Sequence, residues 1–113
     1  MRVIIYEADT AIGEAKIIAL DPPMGVAIAE FTPSGAYNME HHANVINGDY
    51  IEDRSDRLRI ELANGIPLIS QAISIQDWPQ LGEREVHIVG VLEPSFESLF
   101  SEHLDFIAYW GKV

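Results

Sequence analysis

One stretch decides the fold: Arg57-Leu58-Arg59-Ile60-Glu61-Leu62-Ala63-Asn64-Gly65. Its first six residues alternate strictly between polar and apolar, the pattern of a β-strand with one buried face. Asn64-Gly65 then favours a two-residue type I′ turn, because both residues tolerate a positive φ. The stretch therefore predicts an antiparallel β-hairpin.

The return strand of this hairpin is expected over Pro67–Ile75. A two-residue loop pairs Leu62 with Pro67 and Ile60 with Ile69. The apolar side chains of both strands then face the core together, namely those of Leu58, Ile60, Leu62 and Ile69. Arg57 and Arg59 lie on the opposite face, which should meet solvent.

Apolar runs indicate further strands before and after the hairpin. They cover Val3–Tyr6, Ala15–Leu20, Met24–Phe31 and Arg84–Leu92. Thr32-Pro33 predicts the start of a middle helix of two or three turns, with Thr32 as N-cap and Pro33 at the first helical position. Asn47-Gly48 predicts a turn after that helix.

Pro94-Ser95 opens a segment with helical periodicity that ends at Gly111. Its apolar stripe consists of Phe96, Leu99, Phe100, Leu104 and Ile107. The connections between elements are too short for repeated βαβ crossovers. We therefore expect one compact α+β domain over residues 1–113, with a mainly antiparallel β-sheet of about five or six strands. A short middle helix and a C-terminal amphipathic helix should pack on that sheet.

The charge is strongly negative: 18 acidic residues against 7 basic residues give a net charge of −11. Residues 1–53 carry −7, residues 54–76 carry +1 and residues 77–113 carry −5. Such a field repels nucleic acid and anionic lipid and speeds encounter with basic partners. The sequence thus predicts no nucleic-acid partner and no membrane partner, and it favours a basic protein partner.

The chain contains no cysteine, which excludes disulfides, thiolate metal sites and cysteine nucleophiles. It shows neither a signal-peptide pattern nor an apolar run long enough to span a membrane. A cytoplasmic location is therefore expected.

Glu40-His41-His42 is the one histidine-rich cluster in the sequence. Adjacent residues of a helix point about 100° apart, so His41 and His42 should not share one ion. Asp49, Glu52 and Asp53 lack the spacing of an EF-hand loop. We expect no metal, no cofactor and no catalytic residue, and we interpret the acids and histidines as surface groups.

Three segments resemble those of a group of small uncharacterised bacterial proteins. They are Asp21-Pro22-Pro23-Met24-Gly25-Val26, Phe31-Thr32-Pro33 and Pro94-Ser95-Phe96-Glu97-Ser98-Leu99-Phe100. The resemblance covers about a quarter of the chain and implies only a compact single domain with a closing helix. It implies no activity.

The composition and the motifs are consistent with three hypotheses about function. The favoured one is a non-catalytic acidic protein-binding domain, in concrete form an immunity or inhibitor protein that neutralises a basic, nuclease-like toxin. The residues predicted to contact the partner are Glu40, His41, His42, Asp49, Glu52, Asp53 and Trp78. The second hypothesis is a small ligand-binding domain or enzyme with a pocket near Tyr37, His42 and Trp78. The third is a self-associating structural or regulatory module, and the chain could be a monomer or a homodimer.

Overall fold

A computed structural model describes residues 1–100 and 102–110. The strands are β1 Arg2–Glu7, β2 Thr10–Asp21, β3 Val26–Pro33, β4 Val45–Ile46, β5 Asp49–Tyr50, β6 Leu58–Leu62, β7 Pro67–Trp78 and β8 Glu83–Glu93. The helices are α1 Met39–His42, α2 Phe96–Phe100 and α3 Leu104–Trp110. Short 3-10 turns lie over Pro22–Met24 and Ser55–Arg57.

Six of the strands close into a barrel, in the order β7-β6-β1-β2-β3-β8, with β8 pairing back onto β7. Every pairing within the barrel is antiparallel. The expected α+β domain with a mainly antiparallel sheet is confirmed, but the sheet has eight described strands where about five or six were predicted, and its closure was not predicted. β6 pairs with β7 only at Pro67 and Leu68, which leaves the rest of that β7 edge open. β4 pairs with this edge at Gln76 and Asp77, and β5 extends the sheet outward from β4.

The barrel interior is filled by aliphatic side chains, as the small circumference of a six-stranded barrel requires. Strands β1, β3, β7 and β8 contribute fully buried residues, namely Val3, Ile5, Ala27, Ala29, Ile75, Val86 and Ile88. Small alanines on β3 face larger isoleucines and valines, so one continuous core forms.

The predicted hairpin forms, but its register is shifted by one residue. Glu61 pairs with Pro67 and Ile60 with Leu68, and the Leu62 N–H donates to the Ile66 carbonyl. The loop has three residues, and only its last one, Gly65, has a positive φ, of 87°. The predicted type I′ turn is therefore wrong. A one-residue shift exchanges the faces of a strand, so Leu68 is buried while Ile69 is 47% exposed.

The middle helix is shorter and begins later than predicted. Thr32 and Pro33 end β3, where Pro33 pairs with Gly13, and they do not start a helix. The N-cap is instead Asn38, whose side chain accepts a hydrogen bond from the His41 N–H. Only one turn of helix follows it. Sheet pairing outweighed the local Thr-Pro signal.

The predicted C-terminal helix is two helices, and its apolar stripe is broken. Phe100 of α2 is buried, but Leu104 is 80% exposed and Ile107 is 47% exposed. A new helix starts after His103, whose Nδ1 accepts from the Asp105 N–H. α3 is a separate helix, so its residues do not continue the helical periodicity of α2. Phe106 therefore packs against the core, where a continuous helix would have placed Leu104. Gly111, the predicted stop, lies outside the described residues.

The two ends of the barrel are covered by different segments. β3 ends and β6 begins at one end, and residues 34–57, here termed the crossover, connect them across it. At the opposite end, α2 follows β8 and α3 packs on β2 and on the turn Pro22–Met24. We refer to these as the crossover end and the aromatic end. Within the described residues, no helix is long and apolar enough to cross a membrane.

Candidate functional site

The crossover is fastened to the barrel through His42. This side chain is buried, and its Nδ1 accepts a hydrogen bond of 2.9 Å from the Asn38 backbone N–H. A ring nitrogen that accepts a hydrogen bond carries no proton, so the proton of the neutral ring is on Nε2. The Nε2–H then donates to Glu7 at the end of β1, over 3.0 Å. Tyr37 stacks on the other side of the ring, with 5.7 Å between ring centroids.

The neighbouring His41 binds the same carboxylate. Its Nε2 lies 2.8 Å from the second oxygen of Glu7, and its Nδ1 lies 3.4 Å from an Arg57 nitrogen. Helix geometry predicted that His41 and His42 would not share one ion; in the structure, both rings nevertheless converge on the Glu7 carboxylate from a helix of one turn. The hydrogen bond from His42 is the largest cause that lowers the pKa of Glu7, and His41 adds to it.

The donor set of Glu7, His41 and His42 is one that zinc accepts, with the ligand atoms within 4.8 Å of one another. A histidine that binds a metal through Nε2 normally donates its Nδ1–H to an acceptor. Here both Nδ1 atoms face donors, the Asn38 N–H and the Arg57 guanidinium. Both Nε2 atoms consequently carry the proton that they donate to Glu7. This arrangement favours a hydrogen-bonded fastening over a metal centre.

Arg54 supports the crossover from inside. Its side chain is only 8% exposed and donates to the Glu40 carbonyl at 2.8 Å and to the Ala43 carbonyl at 3.3 Å. Its third contact is an ion pair of 3.1 Å with Glu52, which also binds Arg57. The last carbonyls of α1 thus find a cationic donor, which complements the negative end of the helix.

A second polar cluster lies inside the barrel wall beside the crossover. Asp77 is fully buried, and one of its oxygens accepts from the Tyr37 hydroxyl at 2.6 Å and from Arg84 Nε at 3.1 Å. Its other oxygen has no hydrogen-bond partner among the described residues. Burial is the main cause that raises the pKa of Tyr37, and the hydrogen bond to Asp77 adds to it.

The predicted contact residues lie on the crossover, apart from Trp78. The side chains of Glu40, Asp49, Glu52 and Asp53 are exposed, as is His41. His42 is buried and offers a partner no surface in this conformation. Trp78 is half-buried at the end of β7, where its ring lies against Gly48 of the β4–β5 turn.

The crossover itself exposes two large apolar side chains that carried no signal in the sequence. Tyr50 is 69% exposed and Ile51 is 47% exposed. Both lie between Asp49 and Glu52 in the sequence. Of the two, tyrosine is a residue type that is enriched at protein-binding hot spots.

Positive charge on the described surface is largely neutralised within the chain. All five arginines form ion pairs with carboxylates: Arg2 with Glu14, Arg54 and Arg57 with Glu52, Arg59 with Glu61, and Arg84 with Asp77. Glu40, Asp49 and Asp53, by contrast, form no ion pair within the part of the chain that the structure describes. The hydroxyl of Ser55 is the main cause that lowers the pKa of Asp53, and a backbone hydrogen bond adds to it.

The two acidic arms of the sequence are neighbours in space. Residues 1–53 supply β1, β2 and β3, and residues 77–113 supply β8, which pairs with β3. The nearly neutral residues 54–76 form β6 and most of β7 on the remaining side. Much of the negative charge nevertheless lies outside the barrel wall, since Glu40, Asp49, Glu52 and Asp53 are on the crossover and Glu97, Glu102 and Asp105 are at the aromatic end.

Several residues of this region carried no recognisable signal in the sequence. Glu7 is far from His42 along the chain and Arg84 is far from Tyr37, so only the fold brings each pair together. Arg54 lies within the crossover and contacts the Glu40 carbonyl there. Asp77 could have been found, because it continues the inward-facing alternation of Ile73 and Ile75.

Five clefts formed by the described residues are lined by other side chains, and Tyr37, His42 and Trp78 line none of these five. The Tyr37 ring instead stacks on His42, and the Trp78 ring lies against Gly48.

Comparison with known proteins adds no relative, since no family model matches the chain and neither a curated protein nor a solved structure matches it.

Proposed function

We propose that this protein is a non-catalytic binding domain whose crossover end docks onto a basic protein partner. The observation that carries the proposal is the uneven pairing of charge. The described arginines are all held in internal ion pairs, while Glu40, Asp49 and Asp53 of the crossover form no ion pair with any described residue. A partner with complementary charge would be attracted to this end.

Apolar contact at the same place would supply affinity that charge alone does not. Tyr50 and Ile51 are exposed apolar residues of the crossover, and the acids Asp49, Glu52 and Asp53 flank them in the sequence. Buried aromatic anchors carry much of the energy of protein interfaces, whereas charges at the rim mainly set the encounter rate. We assign Tyr50 as the central anchor.

The crossover is also held in place before binding. Arg54 and the Glu7–His41–His42 cluster fix its backbone by side-chain hydrogen bonds. A binding segment that is already ordered loses less conformational entropy when the partner arrives. This favours tight, salt-sensitive association.

The concrete form of the proposal is an immunity or inhibitor protein that covers the basic active-site surface of a toxin acting on nucleic acid. The negative crossover end would occupy the surface that the toxin uses for phosphates. We propose that it acts in the cytoplasm, as a monomer or a homodimer. A ligand site near Tyr37, His42 and Trp78 has less support, because these side chains line none of the five clefts.

The test is affinity capture from a host extract with three versions of the chain. The first is the wild type, and the second carries Asp49→Lys, Tyr50→Ala and Asp53→Lys at the crossover end. The third is a matched control with Asp21→Lys, Leu104→Ala and Glu102→Lys, which makes the same charge change at the aromatic end.

We expect the wild type and the control to retain one basic protein at low salt and to release it at high salt, and the crossover variant to retain none. Titration calorimetry with that purified protein should show affinity falling by at least about a hundredfold in the crossover variant. Inhibition of the captured protein's nuclease activity would establish the inhibitor form. Equal losses in both variants, or binding that is insensitive to salt, would contradict the proposal.

A further inference from the structure

The aromatic end carries a cleft that the proposed function does not use. It has a volume of about 570 Å³, within the usual range for ligand sites. Phe96, Phe106 and Trp110 line it together with Ile107 and Glu97. Trp110 is 55% exposed and Ile107 is 47% exposed, so large apolar surfaces remain uncovered there.

The three rings form a continuous wall. The centroids of Phe96 and Phe106 are 6.1 Å apart, and those of Phe106 and Trp110 are 6.5 Å apart. The rings are tilted by 36° and 47°, so neighbouring rings are not stacked face to face. Each of the three side chains lines the cleft, so part of its surface is accessible to a molecule there.

The charge of the cleft selects the kind of ligand. Glu97 is the one charged residue that lines it, and no basic side chain does so among the described residues. Aromatic faces attract cations through their quadrupole, and a carboxylate beside them adds direct attraction. An anion would meet both the carboxylate and the acidic field of the chain.

We propose that this cleft binds an organic cation with an apolar stem. The rings would contact the stem and the charged group, and Glu97 would pair with the charge. A lysine or arginine side chain of a bound protein and a free amine with an aliphatic or aromatic stem share this chemistry. The site is separate from the crossover end, so it stands or falls independently of the proposed function.

The experiment is an NMR titration of the full chain that follows the indole N–H signals of Trp110 and Trp78. Phenethylammonium is the cationic probe, phenethyl alcohol the neutral probe with the same stem, and 3-phenylpropionate the anionic probe. Phenethylammonium should shift the Trp110 signal to saturation, with an affinity about tenfold above that of the alcohol. The anion should leave the signal unchanged.

Variants localise the effect. Phe106→Leu should weaken phenethylammonium binding about tenfold and Glu97→Gln about threefold, both followed at the Trp110 indole N–H. Trp110→Leu lacks that signal, so its expected loss of about tenfold is read from the backbone N–H signals of Phe106 and Ile107. The matched controls Glu93→Gln and Trp78→Phe, outside the cleft, should leave it unchanged. Circular dichroism of each variant checks that the fold is retained, and Glu97→Gln keeps the test informative if a ring variant unfolds.

Two amphipathic peptides, one of Leu and Lys and one of Leu and Glu, distinguish a cationic protein side chain from a free amine as the ligand. A Leu–Lys peptide that binds at least tenfold tighter than phenethylammonium, through Trp110, indicates a protein side chain; comparable binding indicates a free amine. Equal affinities for the amine and the alcohol, equal binding of the Leu–Glu peptide, or shifts confined to the crossover would overturn the proposal.

Discussion

The two ends of this barrel are closed by opposite kinds of interaction. The crossover end is fastened by charged hydrogen bonds through Arg54 and Glu7, and it presents acids around Tyr50. The aromatic end is closed by Phe100 and by a wall of rings that ends at Trp110. The crossover and the C-terminal helices both lie outside the closed barrel, so side-chain contacts attach each of them to it.

The difference shows how attachment and recognition divide between the ends. Charged hydrogen bonds are directional, so they fix the position of the crossover backbone and leave its outward acids free. Packing of rings is less directional, and it leaves a cleft where the rings do not fill space. The first arrangement suits a charged macromolecular partner, and the second suits a ligand with an apolar stem.

The largest effect is expected at the aromatic end. Phe100→Ala should lower the free energy of unfolding by about 3–5 kcal/mol, because the ring is 2% exposed and its removal leaves a cavity. Urea denaturation measures this value. Leu104→Ala is the control, since Leu104 is 80% exposed and its loss should cost less than about 0.5 kcal/mol. Similar costs for both variants would show that the end is not closed as described.

The next effect is expected from the internal support of the crossover. Arg54→Met keeps much of the side-chain volume but removes the donors to the Glu40 and Ala43 carbonyls. We expect a loss of about 2–3 kcal/mol and faster amide exchange over residues 39–46 than in the barrel. Arg57→Met, at a side chain that is 40% exposed, should cost less than about 1 kcal/mol. Uniformly faster exchange throughout the chain would argue against a local fastening.

A smaller effect is expected for Tyr37→Phe, which removes the hydroxyl that donates to Asp77. The loss should be about 1–2 kcal/mol near neutral pH. Because the pKa of Tyr37 is raised in the folded state, the folded hydroxyl keeps its proton above the ordinary value of 10.0 while the unfolded one loses it. The stability of the wild type should thus fall as the pH rises above that value.

Denaturation at several alkaline pH values tests this expectation. Tyr37→Phe should lack the component of the decline that Tyr37 contributes, so the two stability curves should approach each other as the pH rises. Parallel curves would contradict a buried, protonated hydroxyl.

The smallest effect is expected at Glu7, as a change in acid sensitivity. Its pKa is lowered in the folded state, so its contribution is present above the ordinary value of 4.5 and is lost as the pH falls through the lower folded pKa. Glu7→Gln should cost less than about 1 kcal/mol at neutral pH and should flatten the decline in acid. The control is Glu14→Gln, which pairs only with the exposed Arg2. If the stability of Glu7→Gln declined in acid as that of the wild type does, the inference that Glu7 holds the crossover through the two histidines would be wrong.

The two Asn-Gly dipeptides show what local sequence can predict. Asn47-Gly48 forms a two-residue turn with positive φ at both residues, 51° and 85°. Asn64-Gly65, the stronger signal in the sequence, forms a three-residue loop, and Asn64 accepts from the Ile66 N–H. Both are turns, as predicted. The loop lengths differ, however. The three-residue loop at Asn64-Gly65 goes with the register in which the barrel buries Leu68 and leaves Ile69 exposed.

The sequence by itself determined the antiparallel strands, the hairpin, the excess of acid and the absence of thiol chemistry. These follow from side-chain periodicity, turn residues and composition, all of which act over a few neighbouring positions or none. Closure of the barrel, the register of β7 and the convergence of Glu7 with His41 and His42 were decided by tertiary structure. They depend on contacts between residues far apart in the chain, which compete for one core and cannot be evaluated one segment at a time.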